Sequence, residues 1–159
     1  ELFSETIASF SYDDCPGHPT WMEPVEWLGC AEPGQVHLIS NQPRNKLHSQ
    51  LDHGAISRSD RPKGAEQVTL NPRDAEERGL MDGQILRLHN VRGACLAELR
   101  VDERIRPGVA QIATGAWLEL KGDTCQQGNP NTLTRDQGTS RLAQGPVAHS
   151  CLIWLERWH

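Results

Sequence analysis

Residues 36–50, Val-His-Leu-Ile-Ser-Asn-Gln-Pro-Arg-Asn-Lys-Leu-His-Ser-Gln, constrain the chain more than any other stretch, because an apolar run passes directly into a dense series of hydrogen-bonding side chains. The pattern reads as a strand that ends in a polar loop. Within that loop Ser40, Asn41, Gln42, Arg44, Asn45, Lys46, His48, Ser49 and Gln50 supply amides, hydroxyls, an imidazole and cations. Such a set can meet both heterocycle edges and phosphate oxygens. Residues 127–134, 136–140 and 142–146 have the same character far down the chain. Two such loops on one small domain point to a shared ligand, although turn-making by Asn, Gly, Pro and Ser accounts for the same composition without one.

Around these loops the chain reads as one β-rich domain. Its 14 glycines and 10 prolines in 159 residues fit short strands joined by turns better than long amphipathic helices. Strands are predicted over 1–7, 67–70, 84–89, 94–101, 109–113 and 150–156, with 90–93 turning a hairpin. Residues 71–79 carry a helix signature: Asn71 as N-cap, Pro72 at the first helical position, Gly79 as stop. On strand 94–101, Cys95, Ala97, Leu99 and Val101 share a core face and Glu98 and Arg100 point the other way, making Cys95 a packing residue. Residues 51–65, rich in charge and broken by Pro62 and Gly64, read as an irregular exposed excursion. Residues 1–35 read as an arm or linker anchored by Trp21 and Trp27, and 36–159 as the body. The expected fold is mainly β: a small closed barrel with one or two short helices and long polar loops gathered at its ends.

Several function classes find no support. A formal net charge of -5 argues against a dedicated nucleic-acid binder, while leaving Arg44 and Lys46 as local groups that can hold an anion. The five cysteines are widely spaced with no C-x-x-C pair, which favours free thiols in a reducing compartment. Cys15 and His18 form a lone C-x-x-H pair that a tight Pro-Gly-His-Pro turn explains as well as a metal does. No apolar run approaches the roughly 18 residues of a membrane span. A soluble, cytoplasmic chain is therefore expected, or a periplasmic one if a targeting segment lies upstream. Beginning at Glu1 rather than Met, it reads as a piece of a longer protein. G-x-S-x-G, P-loop, H-E-x-x-H and G-x-G-x-x-G fingerprints are all missing.

Seven ordered motifs carry a resemblance: His37-Leu-Ile-Ser-Asn-Gln-Pro, Lys46-Leu-His-Ser-Gln50, Asn90-Val-Arg-Gly-Ala-Cys95, Pro107-Gly-Val109, Ala113-Thr-Gly-Ala-Trp117, Gly128-Asn-Pro-Asn131, and Leu142-Ala-Gln-Gly-Pro146 with Ala148-His149. From about Val36 to Trp158 the chain resembles the C-terminal dinucleotide-binding domain of the dimethyl sulfoxide reductase family, in particular its S-oxide and N-oxide reductases, biotin sulfoxide reductase among them. The arm with Cys15-Pro-Gly-His-Pro19 resembles the end of the preceding catalytic domain. The resemblance implies a double-psi β-barrel closing over two molybdopterin guanine dinucleotides on one molybdenum, and oxygen-atom transfer from an S-oxide or N-oxide such as biotin sulfoxide. It implies as partners the remaining domains of a full-length reductase, one of which supplies the molybdenum ligand, with no catalytic residue here. Carried over by position, Ser40, Asn41, Gln42, His48, Ser49 and Gln50 match the first cofactor loop, Asn129 and Asn131 the second, and Gln144 the third. Arg44 and Ser49 suit pyrophosphate, Gly128 and Gly145 would admit a close backbone, and Trp117 would pack beside the cofactor.

After Trp117 the family continues with an aromatic and Asp-Pro. Here Leu118-Glu-Leu-Lys121 follows, which leaves the substrate open. The competing reading is a free-standing double-psi barrel that recognises a partner.

Overall fold

The computed structural model describes residues 3–159. Among these residues eight strands form: β1 (Val36–Asn41), β2 (Gln67–Leu70), β3 (Ile85–Asn90), β4 (Gly93–Val101), β5 (Val109–Ala113), β6 (Leu120–Lys121), β7 (Thr124–Cys125) and β8 (Leu152–Arg157). Six of them run in the order β2-β5-β1-β8-β3-β4, and β4 pairs back onto β2, so the sheet closes on itself. The pairs β1–β5 and β2–β4 are parallel. The other four junctions are antiparallel, and this closed, mixed sheet is the expected double-psi barrel. β4 has nine residues because its edge away from β3 serves two partners, pairing with β2 through Glu98–Val101 and with β7 through Ala94 and Cys95.

Side chains alternate across a strand, and the interior follows that period: Val36 and Leu38, Val68 and Leu70, Leu86 and Leu88, Cys95, Ala97 and Leu99, Ala110 and Ile112, and Ile153 are all fully buried. Burial pushes the Cys95 thiol up to about 12, so it is an inert core group. On the opposite face of β4, Ala94, Leu96 and Glu98 are buried as well, while Arg100 is exposed. At the edge of β4 that meets β2, the Glu98 N–H donates to Glu66 O at 2.9 Å, extending the parallel pairing by one residue.

Among the described residues there are three short α-helices. α3 (Pro72–Glu77) is the predicted helix, with Asn71 Oδ1 accepting from the Arg73 N–H at 3.0 Å. It lies at one end of the barrel, where Leu70 faces Ala110 and Asp74 Oδ2 accepts from the Gly108 N–H at 2.7 Å. Of the strand expected at 1–7, residues 1 and 2 lie outside the described residues, 3 and 4 are irregular, and 5–7 open α1 (Glu5–Ser9). Ser4 Oγ accepts from the Ile7 N–H at 3.3 Å, and with no strand beside it this cap decides the local structure. α2 (Ala55–Ser59) interrupts the segment expected to be irregular and exposed, where Asp52, Ser57 and Arg61 are in fact buried.

The arm is fastened differently from expectation. Trp21 is 78% exposed, too open to serve as the anchor. The indole N–H of Trp27 donates within the arm, to Glu23 at 3.0 Å. The anchor is Glu26, which accepts from Arg92 at 2.5 and 2.9 Å, from Arg135 at 3.3 Å and from the Leu152 N–H at 2.7 Å. Among the described residues no helix is long and apolar enough to cross a membrane.

Candidate functional site

β1 and β5 run parallel with Asn41 opposite Ala113, so both leave the barrel at the same end. Thr114 continues the pairing through its N–H to Asn41 O at 2.9 Å. The first polar loop and the Thr-Gly-Ala-Trp segment are thereby brought side by side from positions far apart in sequence. Gly115 is needed at the crossing: at φ 93°, a Cβ there would lie 1.9 Å from His48 O. The Trp117 indole N–H donates to Ser49 O at 2.9 Å, pinning the same loop from its other side. His48 itself sits at φ 53°, in the left-handed region that His tolerates better than bulkier residues.

The second polar loop supplies the facing wall. Asn129 caps a short 3-10 turn (Pro130–Thr132), its Oδ1 accepting from the Asn131 N–H at 2.9 Å, so that carbonyl is committed to local structure. The Asn131 side chain is exposed. Between the walls lies a cleft of about 570 Å³ lined by Gln42, His48, Ser49, Asn129, Asn131 and residues 114–118. It offers the half-exposed face of Trp117 beside amide, hydroxyl and imidazole groups, a combination suited to a planar heterocycle with polar edges.

Beneath the cleft is a closed ionic cluster that sequence reasoning missed. Lys46 Nζ lies 3.0 Å from Asp52 Oδ1 and 2.5 Å from Glu66 Oε2, and Arg61 Nη2 lies 3.0 Å from Asp52 Oδ1. Asp52 Oδ2 accepts from the Trp117 backbone N–H at 3.3 Å. Burial opposes ionisation of Asp52, but the hydrogen bond and charge of Lys46, the charge of Arg61 and the Trp117 N–H together hold its carboxyl below the usual carboxylate range. Two cations face two anions, and each is nearly inaccessible to water. Lys46 is thus committed to two carboxylates, which corrects its reading as an anion-holding group. The one signal in the sequence was the density of opposite charges between 46 and 66, four basic and three acidic residues.

Five of the ten predicted site residues, Gln42, His48, Ser49, Asn129 and Asn131, share the cleft. Asn41 and Arg44 instead line a neighbouring groove of about 690 Å³ that also holds Arg100 and Arg104. Ser40 remains on β1, its N–H donating to His149 Nδ1 at 3.3 Å. Gln50 pairs with Leu47 in an isolated bridge. Gln144 donates to Ser140 O at 2.6 Å within its own loop and does not reach the cleft. Gly128 turns out to serve packing: a Cβ there would lie 2.7 Å from Glu66 Cβ and 2.9 Å from Leu96 O. Thr114, which sequence reasoning did not single out, joins the lining through the β5 register. Among the described residues no group of three His, Cys, Asp or Glu side chains is placed to hold a metal.

The family described as Molydopterin dinucleotide binding domain matches residues 36–152. The chain is 48% identical over 98% of its length to biotin sulfoxide reductase of Cereibacter sphaeroides, covering 21% of that protein. It is 43% identical to trimethylamine-N-oxide reductase 1 of Escherichia coli strain K12 over its whole length, covering 20% of it. To dimethyl sulfoxide/trimethylamine N-oxide reductase of Cereibacter sphaeroides it is 38% identical over 99% of its length, again covering 20%. The chain thus spans about a fifth of the length of these relatives. Acetylene hydratase from Pelobacter acetylenicus has the same fold, with a TM-score of 0.80 over 99% of this chain and 23% of that one at 18% identity.

Proposed function

Because the chain belongs to the molydopterin dinucleotide binding domain family, we propose that it is the cofactor-binding domain of a molybdenum reductase acting on S-oxides or N-oxides. The observation that carries this reading is the convergence of Gln42, His48 and Ser49 with Asn129 and Asn131 around one cleft. The donor set fits the cofactor: Gln and Asn amides match the amide-like edges of pterin and guanine, and Ser49 suits a phosphate oxygen. When bound, the molybdenum pterin supplies the oxygen-atom transfer chemistry.

The chain's own part is to bind and orient. In this reading Gln42 and Asn131 hold a heterocycle edge, and Trp117 packs against its face. His48 and Ser49 close the loop side of the cleft. Arg44, exposed on the adjoining groove, is assigned to the pyrophosphate. Ser40, Asn41 and Gln50 frame the first loop, and Gln144 is assigned to the second of two dinucleotides. Residues 36–159 form the cofactor-binding body and 1–35 an arm continuing from a preceding domain, while the molybdenum ligand belongs to another domain. The five free cysteines accord with a cytoplasmic location. The relatives' names put S-oxides and N-oxides alike within reach, and Leu118–Lys121 is where we place the choice between them.

Calorimetric titration tests the reading, with molybdopterin guanine dinucleotide as ligand and GDP as the simpler probe. Saturable binding of both is expected. Failure of both to bind at millimolar concentration, where about 4 kcal/mol of binding energy suffices for detection, would contradict it.

A further inference from the structure

We infer that Asp52 is the positioning residue of the cleft, its two carboxylate oxygens holding the two sides of the Trp117 corner in register. Oδ1 accepts from Lys46 at 3.0 Å and so fixes the first polar loop, and Oδ2 accepts from the Trp117 N–H at 3.3 Å and so fixes the segment that crosses beneath it. The grip extends to the facing wall. Lys46 also donates to Glu66 at 2.5 Å, and the Glu66 N–H donates to Gln127 O at 3.1 Å, next to Gly128 and Asn129. Arg61 closes the arrangement by donating to the Asp52 carbonyl at 2.6 Å. Every segment that lines the cleft therefore meets this cluster directly or through one hydrogen bond.

A purely structural ion pair would need none of this geometry. Asp52 is 1% exposed yet sits under a Trp that is 52% exposed, so a deeply buried carboxylate is spent on holding a surface residue's backbone. Asparagine has the same shape but cannot replace it. With only one oxygen left to accept, its Nδ2 must face either the Trp117 N–H or the Lys46 and Arg61 cations, a donor against a donor. The segment at 115–118 is then released from the loop at 46–49, and a ligand must reorder both walls as it binds.

The inference rests on the proposed cofactor role of the cleft, and its test separates the two. GDP affinity is measured on the 159-residue chain, on Asp52→Asn, and on Ala75→Gly as a control. Ala75 is buried in α3 at the far end of the barrel and its substitution loosens the fold without touching the cleft. Asp52→Asn is expected to weaken GDP about tenfold or more, the scale of a lost charged hydrogen bond, and to move the Trp117 backbone amide resonance upfield. Ala75→Gly should do neither. Unchanged affinity in Asp52→Asn, or equal weakening in both variants, would overturn the inference.

Hydrogen exchange on the unsubstituted chain decides the matter without a variant. The Trp117 amide should exchange more slowly than that of Leu118, for which no partner appears among the described residues. Equal exchange would overturn the inference. If GDP fails to bind the unsubstituted chain, the cofactor reading falls, and the Trp117 exchange rate still decides whether Asp52 holds that backbone.

Discussion

Two ion clusters fasten segments outside the barrel to it, and they are built on opposite plans. Around Lys46, Asp52, Arg61 and Glu66 two cations face two anions, and no side chain of the four is more than 10% exposed. Around Glu26 a single carboxylate faces two guanidiniums, with side chains 15%, 23% and 32% exposed. Removing one charge from the first leaves an uncompensated ion out of reach of water, whereas the second opens toward solvent and can rehydrate. The closed cluster is thus suited to holding the cleft walls in one geometry, and the open one to clasping an arm.

The comparison is broken most directly by Lys46→Met, which strands Asp52 and Glu66. Equilibrium denaturation should show a loss of about 3–5 kcal/mol, the usual result of removing one partner of a buried pair. Raising the salt concentration should not close the gap, because buried pairs are weakly screened. A loss no larger than that of the arm clasp would show that the two clusters are not different in kind.

Glu26→Gln should cost about 1–2 kcal/mol, since several hydrogen bonds survive the change, and the difference should shrink in high salt. Burial opposes the ionisation of Glu26, but the Arg92 hydrogen bond, the Leu152 N–H, the charge of Arg92 and the Arg135 hydrogen bond hold its carboxyl below its ordinary value of 4.5. A carboxyl lowered in the folded state stabilises above its unfolded pKa and ceases to do so as the pH falls through the folded one. The gap between parent and Glu26→Gln should therefore be full at neutral pH and narrow as the pH drops below 4.5. A gap that is constant in acid would remove the clasp from the account.

Asn129→Ala should cost about 1 kcal/mol through loss of its cap, and Trp21→Ala, at a residue 78% exposed, should change stability by no more than about 0.5 kcal/mol. Both are read by thermal denaturation. A larger effect at Trp21 would restore the aromatic anchoring of the arm that the structure replaces with Glu26.

The barrel was legible in the sequence for a specific reason. Val68 and Leu70, Leu86 and Leu88, Cys95 to Leu99, and Ala110 and Ile112 alternate with the period of a strand, and Asn71-Pro72 starts a helix by local chemistry alone. Those signals are complete within a few residues. The burial of Asp52 is not signalled in that way, because its partners lie 6 and 9 residues away on an irregular path and its contact with Trp117 spans 65. A charged, Pro-broken segment reads as exposed until those pairings close. Glu26 was hidden similarly: its partners Arg92 and Arg135 lie 66 and 109 residues on. For the cleft, both polar loops could be seen as a set of donors, and the residues that converge were among them. Which of the ten would meet depended on the parallel pairing of Asn41 with Ala113. No local pattern separates Gln42, which that pairing directs into the cleft, from Gln144, which bonds within its own loop.

The most direct test of the central claim, that these two loops form one binding cleft, is a nuclear magnetic resonance titration of the isotope-labelled chain with GDP. The Trp117 indole N–H and the side-chain amides of Gln42 and Asn131 should shift together and saturate at one ligand concentration, while the Gln144 amide and the residues of the arm stay still. Shifts centred on the Gln144 loop or on the Arg44 groove, with the Trp117 and Asn131 resonances unmoved, would contradict it.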